Sequence, residues 1–175
     1  MNNKVGIIYA TTDGQTLKIC QRIAEHLKNL GFCTDIIEIS TVTDAVTKYS
    51  KLIIGASIRY GKHSDKVTAF IKTHHRALNQ IDAAFFSVNL VARKSDKNRY
   101  NTNPYVIKYF KQLDWTPKIT DVFAGTLDYK SYSFLDRIMI KLIMKMTGGP
   151  TSSTKPIEYT NWDRVKAFSV KISQI

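Results

Sequence analysis

Thr11-Thr12-Asp13-Gly14-Gln15-Thr16 is a run of hydroxyls and amides with one glycine, set between two apolar segments. Val5, Ile7, Ile8 and Tyr9 before it read as a short buried strand; Leu17, Ile19, Cys20, Ile23, Ala24 and Leu27 after it recur at helical spacing. A strand, a hydroxyl-rich turn and a helix together make an anion cradle. Successive backbone N–H groups converge in the turn, and the helix N-terminus adds partial positive charge. Gly14 frees the backbone to approach a ligand closely, and the hydroxyls of Thr11, Thr12 and Thr16 can donate to phosphate oxygens. The Gly-Lys-Ser/Thr ending of a triphosphate loop and the three spaced glycines of a dinucleotide loop are both missing, which leaves a mononucleotide monophosphate. The same residues also suit a plain helix start, since Thr and Asp are preferred N-caps. Asp13 would repel phosphate unless its side chain turns outward and its backbone amide does the binding.

Two later loops carry further chemistry. Leu52 to Ala56 is a continuous apolar run, the mark of a strand covered on both faces, and Ser57-Ile58-Arg59-Tyr60-Gly61-Lys62-His63 follows it as a loop. Ala83 to Val88 is another strand, followed by Asn89-Leu90-Val91-Ala92-Arg93-Lys94. Arg59 and Arg93 are the cations nearest these strand ends, and His63 could shuttle a proton near neutral pH.

The elements that must position these loops alternate. Helix one spans Gln15 to Leu30 and stops at Gly31. Strand two spans Thr34 to Ile39, with Ile37 and Ile39 on one face, and Asp44 to Tyr49 is a short helical connection. The second helix starts at Ser64 or Asp65, with Val67, Phe70, Ile71, His74 and Leu78 as its inner stripe. A third starts at Pro104 and turns Tyr105, Ile107, Phe110 and Leu113 inward. Strand five runs from Thr120 to Ala124, and a last helix from Asn161 buries Trp162, Val165, Phe168 and Ile172. Five strands alternating with helices predict an α/β three-layer sandwich with a parallel sheet, in one domain of 175 residues. Ligands of such sheets bind at the carboxyl ends of the strands, where all three loops fall.

The chain carries 26 Lys and Arg against 14 Asp and Glu, a net charge of +12, which implies an anionic partner. Nucleic acid is an unsuitable one: the chain has neither a basic-aromatic RNA motif nor a recognition-helix pattern. Cys20 and Cys33 make no metal spacing and read as reduced packing residues. The N-terminus leaves no room for a signal peptide, and no apolar run is long enough to span a bilayer, so a cytoplasmic protein is expected.

Surplus chain, about 127–158, separates strand five from the last helix. Within it, about 132–147 reads as a helix with Arg137, Lys141 and Lys145 in a cationic line and Phe134, Ile138, Met139, Leu142, Ile143 and Met146 over much of the remainder. Such a helix either covers the core with its apolar side or lies on an anionic membrane surface. Its methionines also suit an adaptable wall for a bulky apolar ligand.

The Thr11–Thr16 loop resembles the flavin phosphate loop of flavodoxins, whose fold has strand order 2-1-3-4-5. Ile54–Gly61, Ser87–Lys94 and Ile138–Met146 resemble the bacterial quinone-dependent protoporphyrinogen IX dehydrogenases, and the resemblance covers essentially the whole chain; Ser95–Asn103 and Thr151–Glu158 match less well. It implies an FMN enzyme of haem biosynthesis that oxidises protoporphyrinogen IX to protoporphyrin IX and passes electrons to menaquinone or ubiquinone, peripheral on the inner face of the plasma membrane. It also implies that Thr11, Thr12, Asp13, Gly14, Gln15 and Thr16 hold the FMN phosphate, and that Ser57, Ile58, Arg59 and Tyr60 border the flavin ring, with Tyr60 a stacking partner. Ser87, Val88, Asn89, Leu90, Val91, Ala92 and Arg93 would reach the other ring edge through backbone groups. Arg59 and Arg93 would meet substrate propionates or the reduced flavin anion. No residue stands out as a catalytic acid or base. A flavodoxin-type electron carrier and an FMN-dependent quinone reductase are the alternatives on the same fold.

Overall fold

The computed structural model describes residues 3–42 and 46–175. Five long parallel strands form the sheet: β1 (Lys4–Ala10), β2 (Cys33–Glu38), β3 (Lys51–Arg59), β5 (Asp82–Val88) and β6 (Ile119–Phe123), in the order β2-β1-β3-β5-β6. The two-residue strand β4 (Lys62–His63) lies off this path, antiparallel to the end of β3. Counting long strands alone, the order is the expected 2-1-3-4-5. Register runs straight across the centre, Ile36 beside Ile7, Ile7 beside Ile53, and Ile53 beside Ala84.

Alternation along the strands divides the core into two layers. Ile8, Leu52, Ile54, Ala56, Ala83 and Phe85 pack under α2 (Asp65–Leu78) and α3 (Pro104–Phe110). Val5, Ile7, Ile53, Ala84, Phe86 and Phe123 pack under α1 (Gln15–Asn29) and α5 (Trp162–Ser173). Gly55 has no alternative on β3, because a Cβ there would run into the Phe86 ring.

Several local expectations change. Ser57 to His63 is not a free loop: β3 continues through Arg59, and His63 pairs back on Ile58. The Asp44–Tyr49 connection lies partly outside the described residues; Val46–Lys48 is a single 3₁₀ turn. Helix α3 buries Val106 and Tyr109 and exposes Ile107, while Phe110 and Leu113 pack on the core as expected. Asn103 accepts from the Tyr105 amide and caps the helix, which begins at Pro104 as expected; Tyr105 and Ile107 stand two residues apart and cannot share a helical face, whereas Val106, Tyr109 and Phe110 can. Cys20 is buried, whereas Cys33 is exposed at the start of edge strand β2. His74 is only half-buried.

The surplus segment holds a two-stranded ribbon, β7 (Thr126–Leu127) with β8 (Ile157–Glu158), and helix α4 (Phe134–Met146) between them. Leu127, Tyr129, Tyr132 and Met144 make a small core of their own with Leu90, Ile140, Ile157 and Tyr159.

Candidate functional site

Helix α1 begins without a capping side chain and with no acidic residue in its first turn, so its first N–H groups face the preceding turn unpaired. Gly14 holds the left-handed conformation (φ +82°) that puts this turn in place. The Thr11 hydroxyl accepts from the Gly14 amide at 3.0 Å and closes the turn. The Thr16 hydroxyl, fully buried in that first turn, has no hydrogen-bond partner. An orphaned hydroxyl at an uncapped helix start is a site short of an acceptor, and a phosphate oxygen supplies one.

The turn forms the floor of a cavity of about 470 Å³ at the carboxyl edge of the sheet. Thr11, Asp13, Gln15 and Thr16 line one end of it, with Ser57 to Gly61 and Val88 to Val91 on its flanks. Helix α4 supplies the opposite wall through Asp136, Met139, Ile140 and Ile143. The cavity is therefore polar at the turn and apolar beneath the helix. Thr12 lies outside it, in a neighbouring polar cleft, 3.5 Å from the Ser57 hydroxyl.

Unlike Thr16, the charged and amide side chains expected at the site are already bonded. Gln15 donates both its amide hydrogens, to Glu158 (2.6 Å) and Thr160 (2.9 Å), which ties the turn to the β7–β8 ribbon. Asp13 lines the cavity and meets Arg59 at 3.2 Å; burial raises its carboxyl above the ordinary range despite that cation. Arg59 bonds Asp136 with its other terminal nitrogen at 2.6 Å, so this guanidinium is shared by two carboxylates. Ser133 and the Tyr60 hydroxyl also donate to Asp136, at 2.7 and 2.6 Å. These donors, Tyr60 foremost and then Ser133, hold the Asp136 carboxyl below its usual range.

Arg93 turns from the cavity. It donates to the Leu90 carbonyl and to the carbonyl and hydroxyl of Thr147, at the C-terminal end of α4, where a cation suits the helix dipole. Ala92 is buried against Val106, Val122 and Ala124, and Ser87 also lies beneath the cavity surface. The two arginines thus grip α4 at its two ends. Arg137 folds back on the Tyr132 carbonyl, while Lys141 and Lys145 stand in solvent.

His63 is no neutral-pH shuttle. It is 3% exposed, stacked beside Phe85 and Tyr109, and desolvation lowers its pKa to about 3. Its Nε2 shares a 2.9 Å hydrogen bond with the Ser87 hydroxyl, which also accepts from Asn89. Asn89 also accepts from the Ala92 and Asn103 amides, so this chain of bonds fixes the 89–92 turn that flanks the cavity.

Two features of the site lie beyond the sequence reading. Thr126 lines the cavity with a buried, unpartnered hydroxyl. Asp136 looked like one more charge on a surface helix, and only its place three residues after the Ser133 cap hints at a fixed orientation.

A single-glycine anion cradle where a 2-1-3-4-5 sheet changes direction defines the flavodoxin class, and the flavodoxin domain family matches residues 6–154. Protoporphyrinogen IX dehydrogenase (quinone) of Leishmania major is 45% identical over 165 residues, covering 93% of this chain and 71% of that protein. The protein of the same name from Escherichia coli K12 is 41% identical over 173 residues, covering 98% and 96%. Flavodoxin 1 of Bacillus cereus shares the fold at 14% identity and a TM-score of 0.52, over 98% of this chain and 97% of its own. The chain belongs to the quinone-dependent protoporphyrinogen IX dehydrogenase family within the flavodoxin domain.

Proposed function

We infer that this chain catalyses the FMN-dependent oxidation of protoporphyrinogen IX to protoporphyrin IX with a quinone as electron acceptor, a step of haem biosynthesis. Beyond the family itself, the observation that carries the reading is the joining, in one cavity, of a phosphate cradle and the apolar face of an inserted helix. Bound FMN supplies two-electron chemistry, and the six electrons of a porphyrinogen need three rounds of it.

The chain's own residues bind, orient and exclude water. The amides of the 11–16 turn and the Thr11 and Thr16 hydroxyls hold the phosphate, while Asp13 stays turned toward Arg59. Tyr60 and the backbone of Val88 to Val91 line the same cavity and would border the ring. Met139, Ile140 and Ile143 offer an apolar macrocycle a wall that is adaptable in shape and free of charge. Because Arg59 is already paired with Asp13 and Asp136, and Arg93 lies outside the cavity at the end of α4, neither is a free receptor for propionates there.

The outer face of α4 fits an anionic bilayer, the phase in which long-chain quinones dissolve. Phe134 (75% exposed), Leu135, Ile138, Leu142 and Met146 (84%) point to solvent, with Lys141 and Lys145 on the same side. Among the described residues no helix is long and apolar enough to cross a membrane, so α4 would lie in the interface with its lysines on lipid phosphates.

The test supplies FMN-loaded protein with protoporphyrinogen IX and a quinone and follows porphyrin fluorescence. Porphyrin formation faster than autoxidation and dependent on quinone is expected. A rate equal to autoxidation, with the flavin still reducible by an artificial donor, would leave an electron carrier instead.

A further inference from the structure

Tyr60 is the one non-glycine residue with positive φ (+51°) among the described residues, and the residue is 63% exposed. Packing does not hold this ring in place. Its anchor is the hydroxyl, which donates to Asp136 at 2.6 Å. The neighbouring Arg59 lies over the Tyr60 ring at 5.5 Å and over the Tyr132 ring at 5.9 Å, and it too bonds Asp136 at 2.6 Å. Ser133 caps α4 and bonds the same carboxylate, so Asp136 is itself fixed from behind.

Asp136 thus receives three donors, two of them from the turn that ends β3. Through Arg59 the same cluster reaches Asp13 in the phosphate turn. Asp136, Arg59, Tyr60 and Asp13 all line the cavity, and Asp136 alone of them comes from the inserted segment. A strained residue held by a partner more than seventy positions away in sequence is pre-organised for something beyond its own packing.

We propose that Asp136 is a positioning residue for the flavin site: the inserted helix reaches back across the cavity mouth and sets where Tyr60 and Arg59 stand against the ring. The insertion then helps build the redox site, in addition to any part it takes in docking. This rests on the FMN reading.

The experiment uses Asp136→Ala, Asp136→Asn, Tyr60→Phe and the Asp136→Ala/Tyr60→Phe pair, each titrated with FMN by flavin fluorescence. The midpoint potential of bound flavin and the melting temperature are measured beside it. Asp136→Ala weakens FMN binding roughly tenfold and shifts the potential, and the pair is no worse than Asp136→Ala alone, as for residues acting through one contact. Asp136→Asn keeps an acceptor for the Tyr60 hydroxyl, recovers part of the affinity, and serves as the folded test if the alanine variant is unstable. Wild-type FMN affinity and potential in the asparagine and alanine variants, with only the melting temperature lowered, would make Asp136 a staple and overturn the proposal. Wild-type protein that takes up no FMN would instead defeat the cofactor reading itself, before any variant is compared.

Discussion

Helices α4 and α5 have similar sequences in one respect, apolar residues at helical spacing among lysines, and opposite fates. Helix α5 turns Val165, Phe168 and Ile172 into the sheet, all essentially fully buried beside Phe86 and Phe123. Helix α4 turns only Met144 fully inward and leaves Phe134, Leu135, Leu142 and Met146 more than half exposed. Periodicity records that a helix has an apolar side; it does not record what that side meets. The sheet has room for two covering helices on the α5 face, and α1 and α5 fill it. Helix α4 is left over the cavity, with its inner face committed to the ligand space and its outer face to the surroundings.

The two helices differ most in what a deletion in each does to stability. Phe168→Ala should cost about 3–5 kcal/mol in denaturant unfolding, the range for deleting a buried aromatic ring, while Leu142→Ala should stay within about 0.5 kcal/mol. A large loss at Leu142 would mean that α4 covers core after all. Next comes lipid. Replacing Lys141 and Lys145 together by Gln should weaken binding to phosphatidylserine vesicles roughly thirtyfold, from about 1 kcal/mol for each lysine near an anionic surface. Stability in solution should not change, and equal vesicle binding would return those lysines to simple solvation.

A smaller effect separates the buried side of the site from its exposed side. His63 stays neutral in the fold down to about pH 3, whereas the unfolded chain takes up that proton near pH 6.5. Its folded pKa is depressed, so the stability it allows is complete above the unfolded value and is lost as pH falls toward the folded one. The slope is at most about 1.4 kcal/mol per pH unit. His63→Gln, which can still hydrogen-bond Ser87, should flatten urea-derived stability between about pH 6 and pH 4; an unchanged slope would place the titration elsewhere. The smallest effect belongs to Thr126. Thr126→Val removes a buried hydroxyl that nothing satisfies and should raise apoprotein stability by about 1 kcal/mol. If one rotamer step lets that hydroxyl meet bound cofactor, the same change lowers FMN affinity.

Strand order, the cradle and the two flanking turns were legible because each follows from a local rule: continuous apolar runs for doubly covered strands, one glycine for the turn, hydroxyls beside a helix start. The α3 face was legible only in part: Phe110 and Leu113 pack on the core, but Tyr105 and Ile107, two residues apart, cannot share a helical face, and Val106 and Tyr109 complete the stripe instead. Arg59, Arg93 and His63 were misjudged for a different reason. Their partners, Asp136, Thr147 and Ser87, are distant in sequence, and a cation or imidazole shows its role only once its partners are in place.

The grip of the 11–16 turn on a phosphate is tested most directly by titrating the apoprotein with FMN and, separately, with riboflavin, following quenching of flavin fluorescence. Two or more charge-assisted hydrogen bonds to the phosphate predict one FMN per chain bound roughly a hundredfold more tightly than riboflavin. Equal affinity for the two, or no quenching by either, would contradict it.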